Sequence, residues 1–151
     1  GTRADLDSNR VGMWGVSLGG YYAPRAAAFE KRIKACIALG GPFDWGAAWS
    51  GLPALTREAF RVRSQLKTDE EARQNALTLS LEGIAQNITC PIYIVNGRRD
   101  RIIPPADAER LAREVKGPAE LMMIEDGNHI GNNRAYRWRS QSADWMKEKL
   151  G

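Results

Sequence analysis

The sequence holds one histidine, His129, in Asp126-Gly127-Asn128-His129, and one Gly-x-Ser-x-Gly pentapeptide, Gly15-Val16-Ser17-Leu18-Gly19. A serine hydroxyl is a weak nucleophile at neutral pH and needs a base within hydrogen-bond reach, which an imidazole supplies. The imidazole must in turn be held in one tautomer by a carboxylate. Two acids qualify: Asp100, in Gly97-Arg98-Arg99-Asp100-Arg101-Ile102-Ile103-Pro104, and Asp44, in Gly40-Gly41-Pro42-Phe43-Asp44-Trp45. Asp100 is favoured and Asp44 stands as its rival. The chemistry implied is attack of Ser17 on a carbonyl carbon with His129 as general base. The backbone N–H of Leu18, directly after the nucleophile, is the expected donor to the oxyanion that develops.

Such groups need sharp turns at the ends of strands. Arg10 to Trp14 is a short apolar stretch leading into the pentapeptide, and the Ala-rich segment from Tyr21 to Phe29 reads as a helix. That is strand, tight turn, helix, the context a nucleophile elbow requires. Pro24 lies in the second turn of that helix and should bend it unless the helix starts late. Further strands are expected at Lys34 to Leu39, Pro91 to Val95 and Ala119 to Ile124. Pro104-Pro105 opens a helix with Ala108, Leu111, Ala112 and Val115 at helical spacing, and Gly117-Pro118 stops it. From about Ala135 to Leu150, Trp138, Trp145 and Met146 mark a last helix whose apolar stripe faces the core. Strands alternating with helices imply a mostly parallel sheet, in which Asp100 and His129 fall at C-terminal strand ends, where ligands gather.

About fifty residues separate Leu39 from Pro91, far more than a connecting loop needs. Leu55, Ala59, Val62 and Leu66 keep a helical period, and Thr68-Asp69-Glu70-Glu71 has capping-box form. The segment from about 44 to 84 therefore reads as a helical lid. Trp45 and Trp49 beside it suit an aromatic substrate, with packing between lid and sheet as the other use, and Asp44 joins them as a substrate-binding candidate.

Bulk properties exclude several classes. With 43% hydrophobic and 26% charged residues, the chain has the composition of a globular unit that buries a core. No apolar run approaches the roughly 18 to 20 residues of a membrane helix, so neither a membrane segment nor a membrane partner is expected. The net charge of +4 is spread among acids without interleaved aromatics, which argues against a nucleic-acid partner. Arg98, Arg99 and Arg101 read as an exposed basic loop. Cys36 and Cys90 have neither metal-ligand nor disulfide spacing and read as buried strand thiols, consistent with a cytoplasmic protein. No cofactor and no metal is called for.

The elbow, Gly97-x-x-Asp100 with Ile102-Ile103-Pro104, and Asp126-Gly127-Asn128-His129 together resemble the α/β-hydrolase superfamily, in the chain order Ser, Asp, His that this fold uses. More narrowly, Arg10-Val11-Gly12 with the elbow through Ala23, Ala35 to Gly41, and Cys90-Pro91-Ile92-Tyr93-Ile94 resemble the 2,6-dihydroxypseudooxynicotine hydrolase family and its esterase-like relatives. The resemblance implies an α/β fold of which residues 1–151 are the C-terminal half: four mostly parallel strands flanked by helices, with a small lid, the N-terminal part of the domain lying outside this sequence. It places nucleophile, acid and base at Ser17, Asp100 and His129. It further implies cleavage of an ester, or of a carbon-carbon bond next to a ketone, in a small-molecule carbonyl substrate, without metal, by a protein that is a homodimer at full length. The loop giving the second oxyanion donor would lie in the absent part. Two other readings remain: a binding or regulatory protein on the same fold, and a serine peptidase of prolyl-oligopeptidase type.

Overall fold

The computed structural model describes residues 4–151. Four strands, β1 (Val11–Val16), β2 (Ile33–Leu39), β3 (Ile92–Gly97) and β4 (Ala119–Ile124), form one parallel sheet in the order β1-β2-β3-β4. Consecutive crossovers in one direction put their helices on one face, because strand–crossover–strand units are right-handed. Accordingly α1 (Gly19–Phe29) and α5 (Pro105–Glu114) cover one face, and α6 (Ala135–Leu150) covers the other.

Side-chain alternation sorts the core. Cys36, Ile92 and Ile94 meet Tyr21, Ala27 and Leu111 on the first face, while Ile37, Leu39, Tyr93 and Val95 meet Trp138 and Trp145 on the second. β2 and β3 are buried almost throughout, as central parallel strands must be. β1 is different: its outer side has no strand partner among the described residues, and it exposes Trp14 (54%) and Val16 (42%). No described helix is long and apolar enough to cross a membrane.

Several sequence expectations are corrected. β1 runs two residues further than expected, straight into the elbow, and α1 starts at Gly19, so Pro24 lies fully buried inside a helix that continues past it. Cys90 precedes β3 and is only half-buried; Cys36 is the buried strand thiol.

The long connection contains α2 (Trp45–Ala48), a 3-10 turn at Trp49–Gly51, α3 (Ala54–Arg63) and α4 (Asp69–Ala76). Its base is closed by an antiparallel bridge between Asp44 and Ser80, with Trp45 N–H donating to Leu79 O and Leu81 N–H to Phe43 O, both at 2.9 Å. The capping box forms: Glu71 N–H donates to Thr68 Oγ1, and Glu71 Oε2 accepts from Thr68 N–H. The Leu55-Ala59-Val62 stripe is helical but faces outward, with Leu55 80% exposed; the residue that α3 buries is Phe60.

Candidate active site

The elbow is set by backbone sterics. β1 ends at Val16, and Ser17 takes φ 55°, a left-handed conformation costly for a residue with a Cβ. Its N–H donates to Leu39 O at 2.8 Å and its carbonyl accepts from Gly20 N–H at 2.7 Å, so the turn is locked on both sides. Gly15 is required here: a Cβ would stand 1.8 Å from Gly19 O. The Leu18 N–H donates to no backbone acceptor among the described residues.

Asp100 follows β3 and His129 follows β4, and the two loops are joined. Arg98 N–H donates to Ile124 O and Arg99 N–H to Gly127 O, both at 2.9 Å. This approach needs Gly97, whose Cβ would lie 2.1 Å from Asn128 O. Beyond His129, Ile130 (φ 57°) and Gly131 (φ 59°) reverse the chain, and Trp138 Nε1–H from α6 donates to Gly131 O at 3.2 Å. Asn128 and Asn133 bond reciprocally, each backbone N–H to the other's Oδ1, and Arg134 pairs with Asp126 at 2.6 Å.

These turns bring three expected residues together. His129 Nδ1 is 2.8 Å from Asp100 Oδ2, and His129 Nε2 is 2.9 Å from Ser17 Oγ. The Asp100 side chain is fully buried, and its Oδ1 accepts from the N–H groups of Ile102 (2.8 Å) and Ile103 (3.0 Å). Burial pushes its carboxyl up, but the hydrogen bonds from His129, Ile103 and Ile102 outweigh burial and hold its pKa below the ordinary carboxylate value. An ionised carboxylate only accepts, so Nδ1 donates to it; in the neutral ring Nε2 is then free to accept the Ser17 proton. Arg98 and Arg99 point outward, and Arg98 pairs with Glu109 and Glu125.

Asp44, Trp45 and Trp49 lie elsewhere. Asp44 caps α2, accepting from Ala47 N–H at 2.8 Å, and is not bonded to His129. Trp45 and Trp49 are buried against Phe60, with ring centroids 6.0 and 5.6 Å away, in a cluster with Leu52, Ala72, Ala76 and Ile103. Of the uses expected for these three, the structure displays helix capping for Asp44 and packing within the insertion for Trp45 and Trp49. That cluster touches the site indirectly, since Leu18 and Ile102 pack on it.

The sequence reading missed Asp107. Its Oδ2 accepts from Phe43 N–H at 2.9 Å, and Arg110, one turn on, covers the Phe43 ring at 4.0 Å, so α5 pins the base of the insertion. Burial pushes the Asp107 carboxyl up, against the N–H groups of Phe43 and Asp44. An acid in the first turn after Pro104-Pro105 was the only available signal. Asn133 gave none.

Residues 2–151 match the prolyl oligopeptidase family. The chain is 35% identical over 149 residues to the 2,6-dihydropseudooxynicotine hydrolase of Paenarthrobacter nicotinovorans, covering 96% of this chain and 40% of that protein. The crystal structure of 2,6-dihydroxy-pseudo-oxynicotine hydrolase superposes with a TM-score of 0.90 at 32% identity, over 99% of this chain and 42% of that one. Acetyl esterase Axe7A of Xylanibacter ruminicola is 26% identical over 125 residues, 83% of this chain and 28% of the esterase. The chain thus spans about two fifths or less of the length of these relatives.

Proposed function

The chain belongs to the prolyl oligopeptidase family, within the α/β-hydrolase fold, and from that premise we propose that it is the part of a serine hydrolase that carries its nucleophile, base and acid. The observation that carries this reading is the hydrogen-bonded series Ser17 Oγ, His129, Asp100, on a serine held at φ 55°. In the reaction, Ser17 Oγ bonds to the substrate carbonyl carbon while its proton passes to His129 Nε2. The carbonyl oxygen becomes an oxyanion facing the Leu18 N–H. Collapse breaks the bond to the leaving group, which takes the proton from His129 and departs, leaving an acyl ester on Ser17. A water then attacks that ester, giving its proton to His129, which returns it to Ser17 as the acid product leaves. Asp100 stays ionised throughout and stabilises the imidazolium.

Two carbonyl classes fit this sequence of steps. In an ester the leaving group is an alkoxide; in an aryl ketone cleaved at a carbon-carbon bond it is a carbanion held by a neighbouring ring or carbonyl. The hydrolase relative at 35% identity favours the carbon-carbon reading, and the acetyl esterase relative keeps the ester alongside it. The side of β1 that has no strand partner among the described residues, with Trp14 and Val16 exposed, and the 42% coverage of the hydrolase structure support a larger domain whose further strands continue the sheet at that edge.

The test is a panel of aryl diketones, acyl esters and a prolyl peptide, assayed with the full-length protein and its Ser17→Ala variant. Ketone or ester turnover that disappears in the variant is expected. Turnover that survives Ser17→Ala contradicts the nucleophile, and cleavage confined to the peptide transfers the reading to a peptidase.

A further inference from the structure

The turns that carry Ser17, His129 and Asp100 meet at one short loop, residues 40–43, which leaves β2 and enters the insertion. A Cβ at Gly20, in the first turn after the nucleophile, would lie 2.7 Å from Gly41 Cα, so the loop abuts the elbow. At Gly40, with φ 58°, a Cβ would lie 2.6 Å from Ile130 Cγ2, so the loop also abuts the residue after the base. These two contacts are steric and resist compression only. Hydrogen bonds at its two ends draw the loop inward: Gly40 N–H donates to Val95 O at 2.8 Å, and Phe43 N–H donates to Asp107 Oδ2 at 2.9 Å. Pro42, between them, has no N–H to give. The Phe43 carbonyl accepts from Leu81 N–H on the other side of the same stem, so that bond moves with the insertion. Among the described residues, Asp107 is the one side chain hydrogen-bonded to the backbone of residues 40–43. It lies in the first turn of α5, the helix that the Asp100 loop enters. Its bond therefore joins the segment bearing the acid to a loop that touches the segments of nucleophile and base.

Ser17 Oγ and His129 Nε2 stand 2.9 Å apart, and Gly40 and Gly41 lie against the two turns that hold them. We infer that Asp107 is a positioning residue: its grip on the Phe43 N–H keeps residues 40–43 seated, and the seated loop sets the spacing of Ser17 and His129. The inference rests on the hydrolase reading above and adds a residue to its site. The plainer use of an acid in the first turn of a helix is to favour the helix dipole. That use needs the charge and not the bond to Phe43.

The test uses the full-length protein and measures the rate at which a fluorophosphonate labels Ser17, kcat and KM on one small activated ester, and urea unfolding. Asp107→Ala is expected to slow labelling and lower kcat by about tenfold each, with KM within about twofold, as a small misplacement of the reacting groups does. Asp107→Asn keeps an oxygen that accepts the Phe43 N–H and should stay within about threefold of the parent. Arg110→Met removes the cation from the Phe43 ring, 4.0 Å away, and leaves the Asp107 bond; it should lower stability but not the labelling rate. Asp107→Ser, one atom shorter at the acceptor, carries the same expectation as Asp107→Ala and replaces it if that variant does not fold. Parental labelling in the folded Ala or Ser variant overturns the inference, as does a loss confined to KM. A loss in Asp107→Asn as large as in Asp107→Ala also overturns it, because charge rather than the bond would then be at work. A parent whose Ser17 does not label fails differently, overturning the hydrolase reading and this inference with it.

Discussion

The turns at the C-terminal end of the sheet and the helical insertion above them are built on opposite principles. The turns are fixed by backbone: a left-handed Ser17, a Gly15 with no room for a Cβ, and Gly97 pressed on the His129 loop. The insertion is fixed by side chains, chiefly Trp45, Trp49 and Phe60 around Ala72 and Ala76, and only its stem is tied by backbone bonds. Backbone constraints admit few residue types at few spacings, so they leave motifs. Packing constraints spread over many interchangeable apolar residues and leave only a period.

If that contrast is right, substitutions at the turns should abolish turnover with little loss of stability, and those in the insertion should do the reverse. The largest effect is expected at Asp100. Asp100→Asn in the full-length protein should lower kcat by about 10⁴, since the imidazole would be held in the wrong tautomer, while Asp44→Asn, at a helix cap, should change it less than about threefold. Steady-state kinetics on one ester, with circular dichroism to show that both fold, checks the pair; equal losses would reinstate Asp44 as the acid.

Next in size is Gly97→Ala. A Cβ there must push the two loops apart, and a displacement near 1 Å at the base should cost about 10² in kcat/KM. Retained activity would show that the loops tolerate separation. Trp49→Ala should do less to turnover, within about tenfold on a small activated ester, while lowering unfolding free energy by about 3 to 5 kcal/mol through the cavity it leaves. Because Leu18 and Ile102 lean on that same cluster, a turnover loss as large as that of Gly97→Ala would show that the insertion also positions the site.

The smallest effect concerns pH. The folded pKa of Asp100 is depressed, so its ionisation contributes stability above the unfolded value of about 3.9, and that contribution is lost as pH falls through the folded value. The stability gap between the parent and Asp100→Asn should therefore narrow from pH 6 to pH 3, measured by urea unfolding at each pH. A gap that widens would mean the carboxyl is not held ionised.

The same contrast decides what could be read from sequence. Ser17, Asp100 and His129 were placed on turns after strands because Gly-x-Ser-x-Gly and the two Gly-containing loops state their backbone needs locally, and β4 was bounded to the residue. The side chains that the insertion buries were not readable. Leu55, Ala59 and Val62 share a stripe, but a helix with apolar residues on two sides does not announce which side meets the protein, and Phe60 won because Trp45 and Trp49 stand opposite it. Trp45 and Trp49 themselves look alike as substrate contacts or as core until their neighbours are placed. Asp107 escaped for a related reason: its partner, the Phe43 N–H, lies 64 residues away in sequence.

The central claim is that Ser17 is activated by His129, and the most direct measurement is covalent. Full-length protein treated with a fluorophosphonate, digested and analysed by mass spectrometry, should carry a single adduct on Ser17, greatly slowed in His129→Ala and absent in Ser17→Ala. An inert Ser17 in the folded full-length protein, or labelling at the same rate without His129, would contradict it.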